Sequence, residues 1–499
     1  MKTMSLAEIA RAVGGRLHRA DGTELVSGGV EFDSRAIGAG DLFVAIPGER
    51  VDGHDYAAGA VAAGAVGVLA AREVDAPAVI VPPRTGEHSS AYALAGDSDG
   101  SGAAVLAAFG ALARHVVDEL GAHESPGLTV VGLTGSAGKT TTKDLLAQLL
   151  GRIGPTVAPP GSFNNELGHP WTVLRADEHT RNLVLELSAR GSGHIAELCR
   201  IAPPRIGVVL NVGTSHLGEF GSREGIAAAK GELVESLPAA EDGGVAVLNA
   251  DDPLVAEMAA RTAARVVLFG EHPDARVRAT ELELDDAARP SFLLHAAGVH
   301  APVQLPLHGA HQVANALAAA AVALELGMSV PDTAAALSAA APVSGKRMQV
   351  STRADGVTLI NDAYNASPEA VRSALKSLAT MSRAGEGRRS WAVLGPMSEL
   401  GDQAAEVHDE IGRLAVRLDI NRLVVVGEQA KPLHQGACLE GSWGEESVLV
   451  PDVDAAVRLL AEQLRPGDVV LVKGANAFAL WRIADALLAE PTSIGGAAR

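Results

Sequence analysis

The stretch VGLTGSAGKTTTK, residues 131–143, restricts the fold more than any other part of this chain of 499 residues. An apolar run over 128–133 reads as a strand. Gly135 and Gly138 follow it, and Lys139 and Thr140 open a helical pattern. Backbone N–H groups in such a turn can wrap phosphate oxygens, Lys139 adds a point charge, and the Thr140 hydroxyl can hold Mg²⁺. The spacing is G-x-x-G-K-T-T. Leu133 stands where the usual phosphate loop has its first glycine. The plainer alternative is a glycine-rich turn with a surface lysine, but the order strand, glycines, Lys-Thr, helix favours phosphate.

A strand feeding such a turn belongs in a parallel sheet, and the rest of the chain keeps that rhythm. NLVLELS, RIGVVLNVG and GGVAVLNADD read as further strands between helical patterns, and VTLIND, SWAVLG, RLVVVG and DVVLVKG repeat the theme nearer the C-terminus. Each run ends on Gly, Asn, Asp or Ser, and chemistry in open α/β sheets collects at those carboxyl ends. The length asks for several cores, and linker-like stretches put domains near 1–125, 126–342 and 343–499. The fold class expected is α/β with three domains. Residues 82–104, rich in Pro, Gly, Ser and Asp, read as a flexible loop, and the tail EPTSIGGAAR reads as frayed.

Composition narrows the partners. A net charge of −19 argues against a nucleic-acid backbone, so a small anionic ligand must find local lysines, metal ions or helix N-termini. Aromatics are only 3% of the chain, so Ala, Val and Leu must fill the interior. The two cysteines, Cys199 and Cys438, lie far apart and read as reduced thiols of a cytoplasmic protein. Leu6, Ile9, Ala10 and Val13 follow helical spacing rather than a signal peptide, and no apolar run is long enough for membrane insertion.

Five further places carry candidate chemistry. Glu186 ends the strand NLVLE, and His216 follows the strand in VVLNVGTSH. Each alone reads as well as a cap or a satisfied histidine, but together, at the sheet edge that holds Thr140, they suggest ligands for a second metal ion. Lys230 lies on the apolar stripe of Ile226, Leu233, Val234 and Leu237. Either its stem is buried and its head snorkels to water, or it is a buried amine of lowered pKa that can take up CO₂ as an anionic carbamate. His311 and Asn315, four apart, could read a base edge or be ordinary helix polars. Asp362 ends a strand and suits a ribose hydroxyl or a turn. Arg347 begins the last domain and could reach a terminal phosphate or be merely solvated.

Together these residues resemble the Mur ligase family. The phosphate loop, LELSA, NVGTSHLGEFGSREGIAAAKGEL, NADD, HGAHQVANALAA, DAYNASPEAV, LGPMSELGD and VLVKGA occur in that family's order along the whole chain. The resemblance implies a central P-loop-type ATPase domain, flanked by an N-terminal UDP-binding α/β domain and a C-terminal Rossmann-like domain. It implies ATP at Gly135, Ser136, Ala137, Gly138, Lys139, Thr140, Thr141, His311, Asn315, Arg347 and Asp362. It implies one Mg²⁺ at Thr140 and a second among Glu186, His216 and a carbamylated Lys230, with Lys139 also catalytic. FDSRAIGAGDLFVAIPGERVDGHDYAAGAVAAGA is similar to the family's UDP-sugar module, with Ser34 and Arg35 at the uridine nucleotide. SFNNELGHP is similar to the loop of the member that adds D-alanyl-D-alanine to a UDP-N-acetylmuramoyl-tripeptide, so Asn164 and Asn165 are expected to line the substrate region. Ser188 stands where such members often carry glycine. The member adding the third stem residue carries a DNP-type motif in its last domain, and none occurs here. A nucleotide-driven switch is the rival from another class, though a guanine-reading NKxD is absent. The resemblance implies a cytoplasmic monomer acting through an acyl phosphate.

Overall fold

The structure, a computed structural model, describes residues 1–48, 51–83, 97, 99–122, 127–214, 217–385, 387–441 and 446–489. His216, most of the expected 82–104 loop and the tail lie outside the described residues. Three large sheets carry the molecule, each with helices against it, as expected for a three-domain α/β chain, and Met4–Ser5 pairs with Leu25–Val26 in a small fourth.

The central sheet has nine strands. Its parallel part runs Val277–Leu284, Arg265–Gly270, Val245–Asn249, Ile206–Val209, Thr129–Thr134, Asn182–Glu186, Thr156–Val157. Thr129–Thr134 lies between Asn182–Glu186 on one side and Ile206–Val209 on the other. Strand order reverses there, which opens a crevice at the carboxyl ends. The sequence rhythm did not reveal the edge of this sheet, where Pro290–Ala296 and Val299–Gln304 add two antiparallel strands. Their alternating burial reflects a sheet with one face in water.

The phosphate-loop helix Lys139–Leu150 packs on Gln312–Glu325, whose alanines are almost all fully buried. Alanine at these positions lets two helix backbones approach closely, which suits a chain poor in aromatic bulk. His311 is the N-cap of that second helix, in helical backbone conformation, and the helix begins at Gln312. The Ala-rich segment is two helices rather than one. Val330–Ser338 follows a turn at Gly327, whose φ is +94°.

A five-stranded sheet built from residues 16–80 forms the N-terminal part. The expected loop ends earlier than its composition suggested: Ser101 to Ala104 are buried in the helix Ser101–Gly121. Small residues that look loop-like in sequence are there because this helix meets two neighbours. Val105, Phe109, Leu112 and Val116 share one core with Leu6, Leu42 and Leu69 of the N-terminal part and with Val130, Leu174 and Leu183 of the central part. The C-terminal sheet has six strands, ordered Gln349–Thr352, Thr358–Asn361, Val469–Lys473, Ser390–Leu394, Arg422–Val426, Ser447–Val450. All neighbouring pairs but the first are parallel.

Candidate active site

The phosphate loop is held from behind. Asn211, just past the strand Ile206–Val209, accepts from the Ala137 N–H at 2.9 Å and donates to the Ala137 carbonyl at 3.1 Å. Its own carbonyl accepts from the Ser136 N–H at 3.1 Å. Ser136 Oγ accepts from Gly213 N–H at 2.9 Å. The N–H groups of Ser136 and Ala137 thus both donate to Asn211 in this structure. The donors left for an anion are at the helix start, where first-turn N–H groups have no intrahelical acceptor. Gly138, at φ +84°, makes that turn, and a Cβ on it would stand 2.3 Å from Asn315 Oδ1. Asn315, 5% exposed, thus abuts the loop itself. It also accepts from Thr142 Oγ1 at 3.3 Å and donates to Gln312 at 2.9 Å.

Lys139 bends back and donates to the Gly135 carbonyl at 2.7 Å. Burial lowers its pKa, and Arg347 lowers it further, while Glu186 and Glu399 oppose the shift. Beside it, Thr140 donates to Glu186 at 3.0 Å, and Asn164 donates to the other Glu186 oxygen at 2.8 Å. Glu186 is 1% exposed, so a buried carboxylate faces two neutral donors and the lysine. Lys230, on Arg223–Glu235, is buried as the apolar stripe predicts, and its amine has no hydrogen-bond partner among the described residues. Desolvation brings its pKa down to about 7, with repulsion from Lys139 adding to the effect. Among the described residues, no three His, Cys, Asp or Glu side chains converge as a metal site.

The acceptor-loop candidates divide. Asn164 faces Glu186, whereas Asn165 is exposed and its Oδ1 accepts from Gly168 N–H at 2.9 Å, a turn-making bond at the start of Gly168–Val173. Ser34 and Arg35 sit apart from this cluster. Arg35 is exposed and paired with Asp33 at 2.7 Å, which holds the Asp33 carboxyl at about 2. Their loop is nonetheless tied to the centre. Glu31 accepts from the Trp171 indole at 3.2 Å, and Trp171 stands edge-on to Phe32 and 4.6 Å from Phe163, the residue before Asn164. Sequence reasoning passed over this trio. Three aromatic rings gathered from a chain with 3% aromatics were the available signal.

The last domain reaches the loop from the far side. Arg347 Nη2 donates to Ser162 Oγ at 3.0 Å, and Glu369 accepts from the N–H and hydroxyl of Thr214 at 2.7 and 2.8 Å. Asp362 accepts from Lys473 at 2.5 Å and from Met348 N–H at 3.0 Å, so both its oxygens are engaged. His311 lies near this pair. Burial brings its pKa down to about 4, with Asp362 opposing and Lys473 adding to the shift. A shallow cleft opens between the phosphate-loop helix and this junction, lined by Thr141, Leu145, Gln148, Leu307, Gln312 and Arg347 among others. Its walls mix apolar residues (Leu145, Leu307, Pro342, Val343) with polar ones (Asp144, His308, Ser344). Gln312, Lys473, Tyr364 and Asn211 escaped sequence reasoning because their importance lies in what they touch across the chain.

Comparison with known proteins points to one family. Residues 28–94 match the Mur ligase family, catalytic domain; 133–323 match the Mur ligase middle domain; 346–476 match the Mur ligase, glutamate ligase domain. The UDP-N-acetylmuramoyl-tripeptide--D-alanyl-D-alanine ligase of Mycobacterium tuberculosis is 56% identical, covering 99% of each chain, and that of Bacillus subtilis is 32% identical, covering 98% of this chain and 99% of its own. A crystal structure of MurF from Acinetobacter baumannii superposes with a TM-score of 0.82 at 30% identity, over 98% of this chain and 100% of that one. The MurF ligase of Thermotoga maritima in complex with ADP gives 0.74 at 28% identity, over 92% and 97%.

Proposed function

We propose, since the chain belongs to the Mur ligase family, that this site joins D-alanyl-D-alanine to a UDP-N-acetylmuramoyl-tripeptide, using ATP and releasing ADP and phosphate. The reaction is a step in building the peptide stem of peptidoglycan. The observation that carries this reading is a meeting of three parts. The phosphate loop, the Asn164 loop on Glu186, and Arg347 of the last domain converge within one set of hydrogen bonds. A nucleotide switch needs no such third domain over its phosphates.

In this reading ATP lies along the loop and helix start, with its outer phosphates at Lys139, Thr140 and Arg347 and its base in the cleft beside Gln312, His311 and Asn315. Asp362 serves the ribose side of the junction. Ser34 and Arg35 serve the uridine nucleotide, and Asn164, with Asn165 beside it, the peptide end. In this reading the working unit is a cytoplasmic monomer. Among the described residues no helix is long and apolar enough to cross a membrane.

The residues also fit Mg²⁺. Thr140 and Glu186 offer hard oxygen donors, and a second ion would be held by Glu186 and a carbamylated Lys230, with His216, outside the described residues, as the third expected ligand. The fit rests on Lys230: a buried amine with a pKa near 7 and no hydrogen-bond partner among the described residues is poised to exist uncharged. Carbamylation turns it into an oxygen-bearing anion. Bound Mg²⁺ supplies charge that offsets repulsion between the anions that must meet.

The chain's own contribution is position and electrostatics. Lys139 and Arg347 stabilise charge on the γ-phosphoryl group as the peptide carboxylate attacks it, and ADP leaves with the former bridging oxygen. The amine of D-alanyl-D-alanine then attacks the acyl phosphate carbonyl. The tetrahedral adduct collapses to amide and phosphate, and the amine loses a proton. Domain contacts through Thr214–Glu369 and Ser162–Arg347 keep water from the acyl phosphate.

The full-length protein, given ATP, UDP-N-acetylmuramoyl-tripeptide and D-alanyl-D-alanine, is expected to release ADP only when both cosubstrates are present. The product mass should increase by one dialanyl residue. Turnover only with free diaminopimelate and a dipeptide acceptor would make it the ligase of the third stem residue. ADP release without any cosubstrate would make it a switch.

A further inference from the structure

The segment joining the central and last domains holds Arg347 in an unusual way. Lys346 and Met348, on either side of it, have φ of +60° and +45°, a region that side chains other than glycine occupy at a cost. The surroundings enforce this conformation. Met348 N–H donates to Asp362 at 3.0 Å, the Lys346 carbonyl accepts from Tyr364 N–H at 3.2 Å, and the Lys346 ammonium lies 3.7 Å from the centre of the Trp481 ring. The guanidinium between them lies on the Tyr364 ring, with Cζ 4.2 Å from the ring centre. One hydroxyl closes the arrangement. Ser162 Oγ accepts from Arg347 Nη2 at 3.0 Å and donates to Tyr364 Oη at 2.8 Å. Ser162 begins the loop whose Asn164 donates to Glu186.

We infer that Ser162 and Tyr364 are positioning residues that aim Arg347 at the terminal phosphate and tie that aim to the acceptor-peptide loop. A long arginine on a domain junction has many rotamers, and holding one of them before the reaction removes an ordering cost from the transition state. The ring supplies a flat support and the serine a directed acceptor, so the guanidinium keeps one orientation only while the last domain and the acceptor loop are both in place. Serine is short enough to leave further N–H donors of the guanidinium for phosphate oxygens. The inference rests on the assignment of Arg347 to the γ-phosphate.

Four full-length variants test it in the ligase reaction. Ser162→Ala is expected to lower kcat about tenfold, the scale of one hydrogen bond to a charged group. ADP affinity should stay unchanged, while affinity for ATP with a methylene in place of the β,γ-bridging oxygen weakens. Ser162→Thr keeps the hydroxyl and is expected to restore most of the rate, which a loss of folding in the alanine variant could not imitate. In the pair Ser162→Ala and Arg347→Ala, the double variant should be no slower than Arg347→Ala alone, because the serine acts through the arginine. Additive losses, or a fall in ADP affinity equal to that of the analogue, would overturn the inference while leaving Arg347 at the phosphate. Full activity of Arg347→Ala would remove both this inference and the phosphate assignment beneath it.

Discussion

Lys230 carries the most chemistry per atom in the site. An ammonium there has no hydrogen-bond partner among the described residues and is repelled by Lys139, and both desolvation and repulsion favour the uncharged amine that can react with CO₂. Lys230→Ala is expected to lose roughly two or more powers of ten in rate, about the scale of one key electrostatic group. Millimolar acetate should restore part of it by returning an anion. Lys230→Arg should not, since it keeps positive charge. Steady-state rates with and without acetate check this, and an arginine variant of normal rate would make the lysine a packing residue. The helix stripe placed this lysine on an apolar face and left open whether its head snorkels to water. It could not show that the amine lacks a partner, which depends on neighbours distant in sequence.

Among the elements, the phosphate loop and the two helices behind it work as a unit. Gly138 makes the left-handed turn, and Asn315 from the Ala-rich helix fills the space a side chain would need. Gly138→Ala therefore meets both a backbone penalty of about 1–3 kcal/mol and a contact at 2.3 Å. It is expected to weaken ATP binding about tenfold or more, measured as the Kd for ADP. Adding Asn315→Ala relieves the contact but not the backbone, so only partial recovery is expected. Normal ADP affinity in the single variant would show that the loop tolerates another path. The G-x-x-G-K-T-T spacing announced the turn. The commitment of Ser136 and Ala137 to Asn211 was not legible, because Asn211 lies 75 and 74 positions further along the chain.

For the whole molecule, acid stability offers a clear handle. His169 is fully buried, and desolvation lowers its pKa from 6.5 to about 4, with a backbone contact at Leu198 opposing the shift. Between those values the unfolded chain binds a proton that the folded chain refuses. The contribution is complete above pH 6.5 and is lost as pH falls toward 4. At pH 5 one such histidine costs about 2 kcal/mol of stability. Urea midpoints of the wild type should therefore fall between pH 7 and pH 5, and His169→Leu should fall less steeply. Equal slopes would mean that the ring is protonated, or hydrated, in the folded state. His311, lowered to about 4 as well, adds a second group of the same sign at the domain junction.

By itself the sequence determined the three α/β domains, the phosphate loop, the place of Lys230 on an apolar stripe and the carboxyl-end position of Glu186. Each is a local matter of apolar period, glycine punctuation and a charged residue set against an apolar pattern. Tertiary structure decided which of these meet. Thr140 and Asn164 share Glu186, Arg347 lies on Tyr364 and Ser162, and Asp362 is taken up by Lys473. It also decided that loop-like small residues at 101–104 begin a helix, and that this helix joins two sheets in one core. The physical reason is that a hydrogen bond or a packed face has no periodicity to announce its partner. Which distant groups satisfy a buried polar atom is settled only when strand order and domain docking bring them within a few ångströms.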